Sequence, residues 1–228
     1  MKLFVDFETS GLDPWRNGII SGHLIATKDN LDMVDEYSFK CRPGLGEWWE
    51  GETEKVHGIS HSDALKEAPK CEAYANMLEF IDTHFEANYL KNEFIMHANP
   101  NTWFDRKTNS MSYGWFDWIM LETDLKKCNL EWLFRKYFYA DNRRTLWHLA
   151  VRNGLPRRLN EICEQLNVEL DHHDASSDCR ALYECWKKIG DKEKAQESFR
   201  ERHRKGDLDL FEYVDRSLCM EESNGGDL

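Results

Sequence analysis

The chain has 228 residues, a length that suits one large domain or a domain with an appendage. Its formal net charge of −12 excludes binding of duplex DNA by charge over the whole surface, but leaves room for a local basic groove. No apolar run is long enough to span a bilayer, and Met1-Lys2-Leu3 lacks the apolar core of a signal peptide. The seven cysteines are dispersed, with no Cys-x-x-Cys pair, and read as reduced thiols of a cytoplasmic protein.

In chain order, Leu3-Phe4-Val5-Asp6-Phe7-Glu8 reads as a buried strand, closed by the turn signal Gly11-Leu12-Asp13-Pro14. Residues 19–27 and 33–41 predict two further strands joined through Lys28-Asp29-Asn30, and residues 42–58 read as irregular. Tyr74, Met77, Leu78, Ile81 and Phe85 follow helical spacing, and Phe94-Ile95-Met96 is a short strand. A polar loop over 99–114 leads to a helix over 117–127. Leu159, Ile162, Cys163 and Leu166 mark another helix, with Pro156 near its start. The last strong helix starts near Asp174 and carries the stripe Ala175, Cys179, Leu182, Trp186 and Ile189. Residues 191–205 read as a solvated helix charged nearly all round, and 221–228 as a disordered tail. Three early strands followed by strand–helix alternation predict an α/β domain over 1–190 and a charged helical extension over 191–228.

The first strand carries two carboxylates. Side chains two apart on a strand share a face, so Asp6 and Glu8 are neighbours. Two buried anions repel each other and lose hydration, and a bound divalent cation relieves both penalties. The bland alternative is a frayed strand end with both acids in water. Asp178 lies within an apolar helical stripe, where a lone acid needs a partner. His173, five residues earlier, can overlook the same site and accept a proton near neutral pH, while Asp174 suits the helix N-cap.

These segments resemble the DEDD superfamily of 3′-to-5′ exonucleases in its histidine-bearing DEDDh branch. Asp-Phe-Glu-Thr-Ser-Gly-Leu-Asp-Pro, starting at Asp6, resembles the first motif, and Val56-His57-Gly58-Ile59-Ser60 a segment of the proofreading-subunit type. Thr145-Leu146, followed by Leu159-Asn160-Glu161-Ile162-Cys163, resembles the stretch before the third motif. His173-Asp174-Ala175 to Asp178 resembles the third motif, in a form similar to RNase-T-like exonucleases such as bacteriophage exonuclease A. The second motif, Phe-Asp before an apolar helix, has two candidates. Asp105 precedes Arg-Lys-Thr-Asn-Ser, whereas Asp117 precedes Trp118-Ile119-Met120-Leu121, so Asp117 is chosen.

The resemblance implies a ribonuclease-H-like fold: a mixed five-stranded sheet flanked by helices. It implies two divalent cations, Mg²⁺ or Mn²⁺, held by Asp6, Glu8, Asp117 and Asp178, with Asp6 bridging and His173 as general base. Thr9 and Leu12 would flank the terminal nucleotide of a single-stranded 3′ end, from which a 5′-mononucleotide leaves. His57 is read as structural.

From Lys126 to Arg158 there are nine Lys or Arg and only two acids, Glu131 and Asp141. Arg143, Arg144, Arg152, Arg157 and Arg158 are candidate phosphate contacts, against the bland reading of a solvated basic face. Trp48, Trp49 and Trp115 are candidate stacking residues, against the bland reading of core packing. Replication or repair proteins are candidate partners. DNA and RNA remain open, as do two rival functions: an inactive nucleic-acid-binding module on the same fold, and an oligoribonuclease-like RNA exonuclease.

Overall fold

A computed structural model describes the backbone of residues 1–105, 110–171 and 173–204, and their side chains except those of 103–105, 110 and 192–204. Strands β1 (Lys2–Thr9), β2 (Ile19–Thr27) and β3 (Met33–Lys40) form an antiparallel meander. Strands β4 (Glu93–Met96) and β7 (Arg143–Thr145) extend it in parallel, in the order β3-β2-β1-β4-β7. The expected mixed five-stranded sheet is present. Its helices include α3 (Lys70–His84), α4 (Phe116–Lys127), α6 (Leu146–Arg152), α7 (Leu159–Leu166) and α8 (Ala175–Arg204).

The alternation of β1 sets the two layers. Leu3, Val5 and Phe7 enter a core with Tyr74, Met77 and Ile81 of α3 and Trp118 and Leu121 of α4. Phe4 points the other way, its ring 5.4 Å from Tyr183 and 6.0 Å from Trp186 of α8. Asp6 and Glu8 share this second face by the two-residue period. All nine residues of β2 are buried, as befits a strand covered on both faces. In contrast, β3 is an edge whose exposed residues include Asp35, Glu36 and Lys40, charges that discourage pairing with another chain.

A buried ionic knot anchors α4. The Asp124 carboxylate accepts hydrogen bonds from the Ile19 amide at 2.9 Å, Lys70 at 2.9 Å, the Tyr74 hydroxyl at 2.7 Å and Lys127 at 2.8 Å. Lys70 also binds Glu47 at 2.6 Å. Its cations hold Asp124 below the usual carboxylate range despite burial.

Several expectations are corrected. Residues 42–58 contain α1 (Gly51–His57), which buries none of its residues and so lacks an apolar stripe to read. The short helices α2 (His61–Ala64) and α5 (Glu131–Phe134) were not expected either. The 99–114 loop carries a hairpin, β5 (Trp103–Asp105) with β6 (Ser110–Ser112). Cys71 and Cys128 form a disulfide between the start of α3 and the C-terminal end of α4. The thiol argument for a cytoplasmic protein therefore loses two cysteines, while Cys41, Cys163, Cys179 and Cys185 are buried thiols outside any disulfide. The tail over 221–228 lies outside the described residues. The chain divides into two units, Met1–Lys187 and Lys188–Leu228, the second containing the C-terminal part of α8. Among the described residues no helix is long and apolar enough to cross a membrane.

Candidate active site

The carboxylates of Asp6, Glu8 and Asp178 offer oxygens that all lie within 4.8 Å of one another. Strand β1 supplies the first two. Its pairing with β2 shifts register at Glu8/Thr9, where a bulge redirects the chain into the turn that follows. Asp178 comes from the first turn of α8. That turn is capped by Asp174, whose carbonyl accepts the Asp178 amide at 2.9 Å and whose carboxylate accepts the Ser177 amide at 3.1 Å. Asp178 in turn accepts the His173 amide at 3.4 Å.

The electrostatics are those of a crowded, partly dehydrated anion cluster. Burial, then Asp117, Asp178, Glu8 and Asp174, hold the Asp6 carboxyl well above the usual range. Burial, then Asp178, Asp117 and Asp174, push Glu8 up to about 8. Burial pushes Asp117 up to about 7, opposed by hydrogen bonds from its own backbone and from that of Phe7. The charged neighbours that raise Asp6 and Glu8 are themselves acidic. Oxygen donors this close together suit a hard divalent metal ion.

Asp117 opens α4, is 8 % exposed, and acts on both Asp6 and Glu8. The side chain of its rival, Asp105, lies outside the described residues. His173 stands just ahead of α8 with an exposed side chain and a left-handed backbone, φ 72°. Burial lowers the pKa of His57, and His173 lies near enough to add to that effect. Thr9 is buried, its hydroxyl donating to the Gly11 carbonyl at 2.8 Å, whereas Leu12 is exposed at the following turn.

The basic stretch divides. Lys126 and Arg135 pair with Glu122, and Lys127 with Asp124 and Glu47, which removes them from any groove. Arg157 and Arg158 line a cavity of about 460 Å³ that also contains Asp6 and Asp178. Trp115, Arg143, Arg144 and Arg152 are brought together elsewhere, around a second cavity of about 770 Å³. Trp48 is exposed, with Arg16 over its ring, and Trp49 stacks on His61.

Sequence reasoning missed His97, Asn99, Trp147 and Asn160, which line the cavity with the acids. One signal was available: His97-Ala98-Asn99 directly follows β4, at the carboxyl end of a parallel strand where ligands gather in α/β sheets. It also missed His23, the cross-strand partner of Asp6, which is buried and hydrogen-bonded to Ser38 at 2.6 Å.

Among solved structures, Escherichia coli exonuclease I in complex with a dT13 oligonucleotide is similar, with a TM-score of 0.64 and 16% identity. That match covers 89% of this chain and 44% of the other. Exonuclease I from Methylocaldum szegediense gives a TM-score of 0.59 and 15% identity over 82% of this chain and 40% of its own. A complex described as SSB/exonuclease I with an inhibitor gives 0.62 and 17% identity over 82% and 41%. The chain thus spans about two-fifths of the length of the structures it resembles, and at these identities the likeness is one of fold. No curated protein matches the chain. A family model described as exonuclease (RNase_T) matches residues 3–185. On that match, and on its ribonuclease-H-like sheet, the chain belongs to the RNase_T exonuclease family, of the DEDDh type.

Proposed function

We propose that the chain is a metal-dependent 3′-to-5′ exonuclease that releases 5′-mononucleotides from single-stranded nucleic acid. The observation that carries this reading is the trio Asp6, Glu8 and Asp178, with oxygens within 4.8 Å of one another and Asp117 beside them. The domain responsible is assigned to residues 1–190, with 191–228 as a charged extension.

In this reading Asp6, Glu8, Asp117 and Asp178 would hold two divalent cations, Mg²⁺ or Mn²⁺. Bound cations would neutralise the acids, admit a phosphate that the cluster otherwise repels, and polarise the phosphodiester. The protein's own groups do the rest. His173 accepts the proton of the attacking water, and its exposed position beside Asp178 supports that role. Leu12, exposed after the first motif, packs on the terminal nucleotide, while buried Thr9 fixes the turn that presents it. Trp115, Arg143 and Arg144 contact the strand away from the scissile bond.

Single-stranded DNA is the favoured substrate, on the likeness to an exonuclease I in complex with dT13, and SSB is a candidate partner on the likeness to the SSB/exonuclease I complex. The test is hydrolysis of labelled single-stranded DNA and RNA, with free or blocked 3′ ends, in Mg²⁺, Mn²⁺ or EDTA. Metal-dependent shortening from free 3′ ends supports the reading. Binding without hydrolysis in every metal marks the inactive module instead, and shortening of RNA alone marks the oligoribonuclease-like alternative.

A further inference from the structure

Two cavities flank the stretch from Trp115 to Arg158, and a continuous ladder of rings and guanidinium groups joins them. Arg157 lies 5.3 Å over the Trp147 ring in the cavity that holds Asp6 and Asp178. The Trp147 and His148 rings are 5.4 Å apart, those of His148 and Trp115 6.2 Å, and Arg143 lies 4.6 Å over Trp115. His148, Trp115 and Arg143 line the second cavity. Backbone contacts fix the junction. The Trp115 amide donates to the Asn99 carbonyl at 3.0 Å, and Asn99 lines the first cavity. His97 bonds the Arg157 carbonyl at 3.0 Å, holding the loop that carries both arginines.

We propose that this ladder is the track for single-stranded nucleic acid leading into the active site, and that the second cavity receives the part of the strand farthest from the acids. The proposal rests on the exonuclease reading. Three observations choose the occupant. The track is continuous with the acidic cluster where a scissile phosphodiester would sit. Five arginines line the two cavities, Arg143, Arg144, Arg152, Arg157 and Arg158. Arg144 reaches Glu93 at 3.3 Å and Arg158 reaches Glu161 at 3.7 Å, so the arginines outnumber the carboxylates that meet them outside the acidic cluster. That sign of charge suits a polyanion approaching a chain whose net charge repels it. The aromatic rungs are interleaved with the cations, and π-faces accept any base, so the track takes a strand without reading its sequence. Paired bases keep their faces stacked within a duplex, which makes the ladder selective for single strands.

The consequence is a dependence on length. A dinucleotide fills the end of the groove alone, whereas a strand of roughly four to eight nucleotides occupies the rungs. For the wild type, kcat/KM should rise tenfold or more from dT2 to dT8, or from rU2 to rU8. Trp147→Ala and Arg157→Glu should reduce that ratio at least fivefold, and Trp132→Ala, an exposed tryptophan away from both cavities, should not. Arg157 is exposed, so its variant remains informative if removal of Trp147 disturbs folding. Loss in either sugar series supports the track and names the sugar. Variants that retain the wild-type ratio in both series overturn it. Fluorescence anisotropy of a labelled dT8 in EDTA gives a readout independent of turnover. Affinity at least tenfold weaker in the two variants supports the track, and equal affinity overturns it, even if the wild type hydrolyses nothing and the exonuclease reading itself fails.

Discussion

The backbone of Phe7, the residue between Asp6 and Glu8 on β1, lies close enough to the carboxyl of Asp117 to oppose the burial that raises it to about 7. The first turn of α4 thus sits beside the strand that carries the other acids. Asp117→Asn should lower kcat/KM by roughly 100-fold or more, as expected when a group that orders a metal site is lost. Asp105→Asn should leave activity within roughly threefold, since the sequence after Asp105, Arg-Lys-Thr-Asn-Ser, has no apolar face to fix it against the sheet. Equal losses in the two variants, measured on the same oligonucleotide, would remove the basis for choosing Asp117.

The acid cluster makes stability depend on pH with a definite sign. Folding raises Glu8 from an ordinary 4.5 to about 8, and Asp117 from 3.8 to about 7. Carboxyls raised in this way hold their protons more tightly when folded. Their contribution is complete below the unfolded values and is lost as pH rises through the folded ones. In EDTA the melting temperature should therefore be lower at about pH 8 than at about pH 6. Asp178→Ala should flatten that slope and raise the value at the higher pH, because Asp178 acts on both Asp6 and Glu8. Mg²⁺ should stabilise more at the higher pH, where the ligands are ionised. A metal-free melting temperature that rises over this interval contradicts the account.

Asp124 tests the scaffold rather than the chemistry. Its carboxylate joins β2, α3 and α4 through Ile19, Lys70, Tyr74 and Lys127. Asp124→Ala leaves Lys70 buried with one remaining partner, Glu47, and should cost about 3–5 kcal/mol in urea unfolding. A loss below about 1 kcal/mol would mean that the knot relaxes or hydrates when broken.

The Cys71–Cys128 disulfide closes a separation of 57 residues. Its reduction should lower unfolding stability by about 2–4 kcal/mol. An unchanged denaturation midpoint with and without reductant, alongside thiol counting, would show that the bridge does not constrain the chain.

What could be read from the sequence follows from where the physical signal is local. The alternation in Leu3-Phe4-Val5-Asp6-Phe7-Glu8 put both acids on one face, and the apolar run after Asp117 separated it from Asp105. Strand β7 gave no such signal. Arg143-Arg144-Thr145 has no apolar residue and becomes a strand only by pairing in parallel with β4. Nothing in the sequence marks Asp124 as buried, because Lys70 and Tyr74 meet it only in the folded chain. The cysteine pairing likewise depended on the fold, which brings the start of α3 to the end of α4. Trp147, on α6, and Asn160, on α7, line one cavity with Asp6 and Asp178 only in the folded chain.

The most direct test of the central claim follows the end of a strand. A 5′-labelled single strand with a free 3′ hydroxyl should shorten stepwise in Mg²⁺, releasing 5′-mononucleotides. The same strand with a blocked 3′ end should persist, as should a closed circular single strand. EDTA, Asp6→Ala and Asp178→Ala should each abolish shortening, because each removes the cation or a group that holds it. Cutting of the blocked or circular strand at a comparable rate, or wild-type turnover in either variant, would contradict a 3′-to-5′ exonuclease built on Asp6, Glu8 and Asp178.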